Sequence, residues 1–218
     1  TLKHLSPELQ QALQNEMEKV QQSLKLNVRS KFSGIRDVID DVIDLNGKML
    51  RPLLTIISAH FGSYQADKVV KLAASIEMLH MATLIHDDIV DDSKLRRNKE
   101  SAQSKYGKDM AVYAGDFLLS KALTILNAKD YDTDHMVSLA KAIENICESE
   151  LLQYHSKFHF MNVKNYLRVI SGKTAALFAV SMYAGASESN CSEALSKKMG
   201  RIGYDIGIAF QIIDDILD

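Results

Sequence analysis

The chain has 218 residues, of which 46% are hydrophobic and 25% charged, a balance that suits one soluble globular domain with a sizeable core. A net charge of -2 excludes a nucleic-acid binder held by bulk electrostatics. Two cysteines, Cys147 and Cys191, lack metal or redox spacing and read as inert thiols in a reducing compartment, hence a cytoplasmic protein. No secretory signal is visible, although the sequence opens on Thr1 rather than Met. Thr174 to Ala186, the longest uncharged apolar run, is too short to span a bilayer.

Only two prolines occur, and no sustained period-2 alternation marks strands, so helix is expected nearly throughout. Ser6-Pro7-Glu8 is a start signal for a helix to about Lys25, combining a cap, a first-turn proline and an acidic first turn. A second helix is predicted over 31–45 and ends at Asn46-Gly47. A third runs over 48–61, with Pro52 tolerated in its first turn. From Val69 onward Leu72, Ala73, Ile76, Leu79, Ala82, Thr83 and His86 recur at helical spacing, and a helix this apolar belongs inside a domain. A basic loop, 93–101, follows. Further helices are expected at 108–128, 133–157, 162–171, 173–186 and 191–218, giving an all-α bundle with its functional groups turned inward.

The central helix delivers Asp87, Asp88, Asp91 and Asp92 within six residues. Asp87 and Asp91 share a face, as do Asp88 and Asp91. Carboxylates crowded at a helix C-terminus repel one another and oppose the helix dipole, so a hard cation such as Mg2+ suits them. The last helix repeats the spacing in Asp214, Asp215 and Asp218. If the two helices pack side by side, six carboxylates converge, and metal carrying a phosphate or diphosphate neutralises them. Three basic elements suit such an anion: Lys48 and Arg51 in G-K-x-x-R-P at a helix entrance, Arg96-Arg97 after the first acidic cluster, and Lys173-Thr174 opening an apolar helix. His80 lies within the apolar stretch, either as a hydrogen-bonded core histidine or as a phosphate donor.

These residues together resemble the trans-isoprenyl (polyprenyl) diphosphate synthase family, through G-K-x-x-R-P at 47–52, HDDIVDD and LRR at 86–97, GKT at 172–174 and FQIIDDILD at 210–218. HMATLIHDDIVDD, YAGDFLLSKAL and NYLRVISGKTA look most like the large catalytic component of bacterial two-component hexaprenyl or heptaprenyl diphosphate synthases. The resemblance implies an antiparallel all-α bundle with a central elongated hydrophobic cavity, formed as a single domain over 1–218 that lacks its C-terminal portion. By position, Asp87, Asp88 and Asp91 match the family's first aspartate motif, and Asp214, Asp215 and Asp218 the second. Together they imply about three Mg2+ ions on an allylic diphosphate. Arg96 and Lys173 match contacts to that diphosphate; Lys48, Arg51, His80 and Arg97 match contacts to isopentenyl diphosphate. Thr174 and Gln211 match positions that stabilise the developing allylic cation.

Asn98 stands where the family commonly has glycine, and the tail that normally follows the second motif is absent, as the terminal ligand Asp218 also suggests. Small residues at Ala82 and Thr83, one turn before Asp87, imply an open product tunnel whose floor is set by Leu79, Met78 or a residue on a facing helix. The expected product is a chain of about C30 to C35 for a quinone such as menaquinone. The resemblance also implies a dimer, either homodimer or heterodimer with a small regulatory chain. Ala111 to Leu126 is then a candidate interface or ordinary core. The lipophilic product would bring the enzyme near a membrane. Alternatives are a short-chain or homodimeric member of the family, an inactive partner-binding subunit, a terpene cyclase on the same fold, or a helical phosphohydrolase using His86-Asp87.

Overall fold

The structure, a computed structural model, describes residues 6–44, 47–126, 133–156 and 160–217. Helix dominates, as the pattern predicts. The first helices are α1 (Pro7–Asn27), α2 (Ser33–Asp44), α3 (Leu50–Ala59) and α4 (Ala66–Val90). Ser6 caps α1 by accepting from the Leu9 amide at 3.3 Å, and Pro7 sits where its missing N–H costs nothing. After α4 come α5 (Ala102–Tyr106), α6 (Lys108–Leu126), α7 (Thr133–His155), α8 (Val163–Ile170), α9 (Ala176–Glu188) and α10 (Glu193–Leu217).

Three features depart from the predicted elements. The stretch taken as a basic loop contains a two-stranded antiparallel ribbon, β1 (Leu95–Arg96) and β2 (Lys99–Glu100), with Leu95 opposite Glu100. The short helix α5 follows it. Finally, the two helices expected at 162–171 and 173–186 are one continuous run, because Ser171–Ala175 forms a π-helical turn between α8 and α9. A π turn keeps the chain hydrogen-bonded while adding a residue, so nothing in the sequence reads as a break. Asn46, the expected break before α3, lies outside the described residues, as does Asp218.

Two compact units emerge, Thr1–Leu53 with Val70–Lys129, and Leu54–Val69 with Asp130–Asp218. In the first, α4 is the core element: Leu72, Ala73, Ile76, Met78 and Leu79 are all fully buried. Ser75 settles its hydroxyl there by donating to the Ala122 carbonyl of α6 at 2.7 Å. α5 packs on α2 and α6, and it is fastened to α2 through Asp41, which accepts from Lys105 Nζ at 2.5 Å and the Tyr106 hydroxyl at 2.6 Å. On α6 one face is core (Ala111, Ala114, Leu118, Ala122), while Val112 and Tyr113 are exposed.

In the second unit α10 lies along α9 and the π turn. Gly203 and Gly207 permit this approach: a β-carbon at 203 would collide with the Phe178 carbonyl, and one at 207 with the Ala175 backbone. Leu54 joins Met182, Ala186 and Met199 in an apolar cluster. By length and composition alone, Ala66–Val90 and Val163–Glu188 could each cross a bilayer. Their most apolar windows are 72% and 67% buried, which is the packing of core helices.

Candidate active site

The first acidic cluster sits where α4 ends. Asp92 has φ 50°, and the Ser93 amide donates to the Asp88 carbonyl at 2.9 Å, so the helix closes in a left-handed cap. Gln103, buried on α5, donates its side-chain amide to both the Asp88 and Ser93 carbonyls, at 2.7 and 2.8 Å. The chain then turns back through β1 and β2. Arg97 and Asn98, between the strands, have φ of 51° and 64°, the two successive left-handed residues of a tight hairpin turn. That requirement accounts for Asn98, since asparagine is among the few residues that tolerate the conformation glycine takes freely.

This ribbon aims Arg96 back at α4. Its Nε and Nη2 donate to Asp88 Oδ2 and Oδ1 at 2.7 and 2.6 Å, a bidentate pair in which the Asp88 side chain is only 5% exposed. Both Asp88 oxygens are therefore engaged by a guanidinium. Asp87 is half-buried and Asp91 exposed, one helical turn apart. The fourth acid, Asp92, meets Lys108 at 3.0 Å and Lys94 at 3.4 Å, and Lys108 chiefly holds its carboxyl below the usual range.

The basic residues of the first unit gather beside it. The Arg97 guanidinium lies against Gly47, where a β-carbon would overlap it. Arg51 is buried in the first turn of α3, and burial pushes its pKa down to about 10 against the opposing pull of Glu77. Desolvation, followed by the positive charges of Arg51, Arg96 and Arg97, holds His80 well below 6.5, so it is neutral at physiological pH. Lys48 is exposed just ahead of α3. A shallow pocket with mainly apolar walls, including Met81, Leu84 and Ile85, is edged by Asp88, Arg96 and Arg97. His86 rests against Gly115 and lies 3.4 Å from Asp116.

In the second unit the π turn carries Lys173 and Thr174. Gly172 lets that turn press on α7, since a β-carbon there would strike Ser149 Oγ and the Asn145 carbonyl. Lys173 Nζ lies 2.7 Å from Glu150 and donates to Gln153 Oε1 at 3.3 Å. This lysine, at the head of an apolar run, is thus met by a carboxylate one helix away. A hydrogen-bonded chain runs from the same turn: the Thr174 hydroxyl donates to Gln211 Oε1 at 2.6 Å, and Gln211 Nε2 donates to Asp215 Oδ1 at 2.8 Å. The Tyr166 hydroxyl donates to Asp215 Oδ2 at 2.6 Å, and this bond pushes the phenol up to about 12. Asp214 is exposed near the end of α10.

Of the residues singled out for product length, Met78, Leu79 and Ala82 are buried on α4, and Thr83 is partly exposed with its hydroxyl donating to the His80 carbonyl at 2.8 Å. Sequence reasoning passed over Glu77, Gln103, Glu150, Gln153 and Tyr166. Glu77 alone carried a signal, an acid in the middle of an apolar helix; the others depend on how helices pack. Among the described residues no three His, Cys, Asp or Glu side chains form a ready metal cage.

An all-α chain whose two long apolar helices end in D-D-x-x-D, with arginines gathered by the first, defines a class, and a family comparison agrees: residues 33–218 match the polyprenyl synthetase model. The chain belongs to that family. Among its relatives, it is 35% identical over 207 residues to heptaprenyl diphosphate synthase component 2 of Bacillus subtilis, covering 94% of this chain and 59% of that protein. The crystal structure of heptaprenyl diphosphate synthase from Staphylococcus aureus matches with TM-score 0.90 and 36% identity, over 94% of this chain and 65% of that one. A decaprenyl diphosphate synthase structure from Rhodobacter capsulatus gives TM-score 0.92 and 35% identity, over 97% and 65%. The chain therefore spans about three-fifths of the length of the curated relative and nearly two-thirds of each solved structure.

Proposed function

We propose that this chain forms most of the active site of a Mg2+-dependent prenyltransferase. The enzyme joins isopentenyl diphosphate to an allylic diphosphate such as farnesyl diphosphate, extending it to an all-trans product of about C30 to C35. The observation that carries the reading is the gathering of Arg51, Arg96 and Arg97 around a neutral His80 at the acidic end of α4. Arg96 is matched by Asp88 and Arg51 faces Glu77, and the further N–H donors of these planar forks match diphosphate oxygens.

The donor set fits Mg2+, which binds through a few carboxylates and fills its remaining positions with water and substrate phosphate. Asp87, Asp91 and Asp214 are the ligands we assign, while Asp88 and Asp215 hold their neighbours in place. Asp218 completes the second motif in sequence only. When bound, about three Mg2+ ions supply electrophilic charge to the departing diphosphate. Lys48, Arg51, His80 and Arg97 bind isopentenyl diphosphate, and Arg96 and Lys173 bind the allylic diphosphate. Lys173 reaches that anion by leaving Glu150, and the salt bridge and the Gln153 bond hold its ammonium until substrate arrives.

With its proton committed to Gln211, Thr174 Oγ keeps lone pairs to set against the allylic cation. Apolar walls exclude water that would quench that cation. The isopentenyl double bond then attacks, and the proton lost from the new product goes to the released diphosphate.

The name of the Bacillus relative, a component 2, supports a heterodimer with a small regulatory chain. The exposed side of α6 at Val112 and Tyr113 is the face we assign to dimerisation. We place the enzyme in the cytoplasm, close to the membrane that receives a quinone side chain such as that of menaquinone. Small residues at Ala82 and Thr83 favour a long product, with Leu79 and Met78 beneath them.

The test is to incubate the full-length protein, with and without its small partner, with farnesyl diphosphate, radiolabelled isopentenyl diphosphate and Mg2+. A product ladder reaching C30 to C35 that disappears with EDTA is expected, and Ala82→Phe should end it earlier. Absence of extension under both conditions would leave a partner-binding role instead.

A further inference from the structure

Asp215 is held in an unusual way for a carboxylate on the exposed last turns of a helix. Such turns fray, and a lone surface carboxylate there ordinarily rotates among solvated rotamers. Here each oxygen has its own donor: Gln211 Nε2 on Oδ1 at 2.8 Å and the Tyr166 hydroxyl on Oδ2 at 2.6 Å. Gln211 lies one turn back on the same helix and moves with it. Tyr166 does not.

It projects from α8, a separate helix with its own cap and buried end. Asn162 caps the start of α8 by accepting from the Asn165 amide at 2.9 Å, and Val169 and Ile170 bury its end. The Tyr166 bond is thus a tie across two helices, 49 residues apart in sequence, that pins the end of α10. Both donors are neutral, so the carboxylate is immobilised without losing its charge. At Asp88, by contrast, the donor is a guanidinium that cancels the charge it holds.

We propose that Tyr166 is a positioning residue: by fixing Asp215 from outside α10, it sets the adjacent Asp214 for metal–diphosphate binding. The inference rests on the synthase reading above and assigns Tyr166 no contact with substrate. Losing the hydroxyl frees one side of Asp215 and lets the last turn of α10 move, while leaving the first unit's cations untouched.

The experiment uses full-length protein carrying Tyr166→Phe, Asp215→Ala or both, with Mn2+ titrated by EPR in the presence of inorganic diphosphate. Tyr166→Phe should weaken Mn2+ binding roughly five- to tenfold, less than a full hydrogen bond to a charged group because Tyr166 acts on the metal ligand only through Asp215. The Mg2+ concentration for half-maximal elongation should rise in step, with the KM for isopentenyl diphosphate within about twofold of wild type. Because Tyr166 acts through Asp215, adding Tyr166→Phe to Asp215→Ala, which leaves the hydroxyl no acceptor there, should cost nothing further. Wild-type affinity in Tyr166→Phe, or an equal loss in the Asp215→Ala background, overturns the proposal and leaves the synthase reading intact. Wild-type protein that takes up no Mn2+ with diphosphate overturns both.

Discussion

The two acidic helix ends share a spacing but are held by opposite means. At the end of α4, Asp88 is buried and gripped by the Arg96 fork, with Gln103 closing the helix behind it. At the end of α10, Asp215 is exposed and held by two neutral donors. A buried charge requires a counter-charge, so the first cluster is woven into the fold of its unit. An exposed one does not, so the second can keep its negative charge for a ligand. Identical sequence motifs therefore predict different consequences when they are broken.

The largest effect should come from the acids assigned to metal. Asp214→Ala is expected to lower kcat on the order of 10²- to 10³-fold, read from radiolabelled product, with little change in unfolding midpoint. Next, Arg96→Ala should strip Asp88 of its partner. Breaking a buried pair costs about 3–5 kcal/mol, and because the Arg96 side chain is 30% exposed a loss of roughly 2–3 kcal/mol is expected in urea unfolding. Asp215→Asn should cost under about 1 kcal/mol in the same measurement. Equal losses at the two positions would erase the contrast.

Gly172→Ala should follow, at about 1–3 kcal/mol, because its methyl meets the Asn145 backbone as well as the Ser149 side chain. Its activity loss should exceed its stability loss, since the π turn carries Lys173 and Thr174. Smallest is a pH effect. His80 is neutral in the folded chain, with its pKa depressed below 6.5, whereas unfolding restores the ordinary value. The unfolded state thus binds more protons below pH 6.5, and stability declines as pH falls from there toward the folded pKa. His80→Gln should remove that part of the slope, at most about 1.4 kcal/mol per pH unit, in urea titrations at pH 7.0, 6.0 and 5.5. An unchanged slope would place the acid sensitivity elsewhere.

Much of this molecule could be read from its sequence because helical spacing is local. The apolar run into Asp87, the Ser6-Pro7 start and the D-D-x-x-D repeat each lie within one element. What escaped depends on chain reversal and packing. Arg96 reaches Asp88 only because Arg97 and Asn98 adopt left-handed conformations in a turn too short to show as alternating strands. The sequence divides the run at the π turn because Ser171-Gly172 resembles a joint, whereas Gly172 serves close contact with α7. Tyr166 and Glu150 carried no signal at all, since nothing in their own neighbourhoods records which α10 carboxylate or π-turn lysine they meet.

The most direct test is the anomalous map of a crystal of the full-length protein grown with Mn2+ and inorganic diphosphate. The account predicts Mn2+ on Asp87 and Asp91 and Mn2+ on Asp214, with Asp88 still on Arg96 and Asp215 still on Tyr166. Metal confined to one acidic helix end, or diphosphate bound away from both, would contradict it.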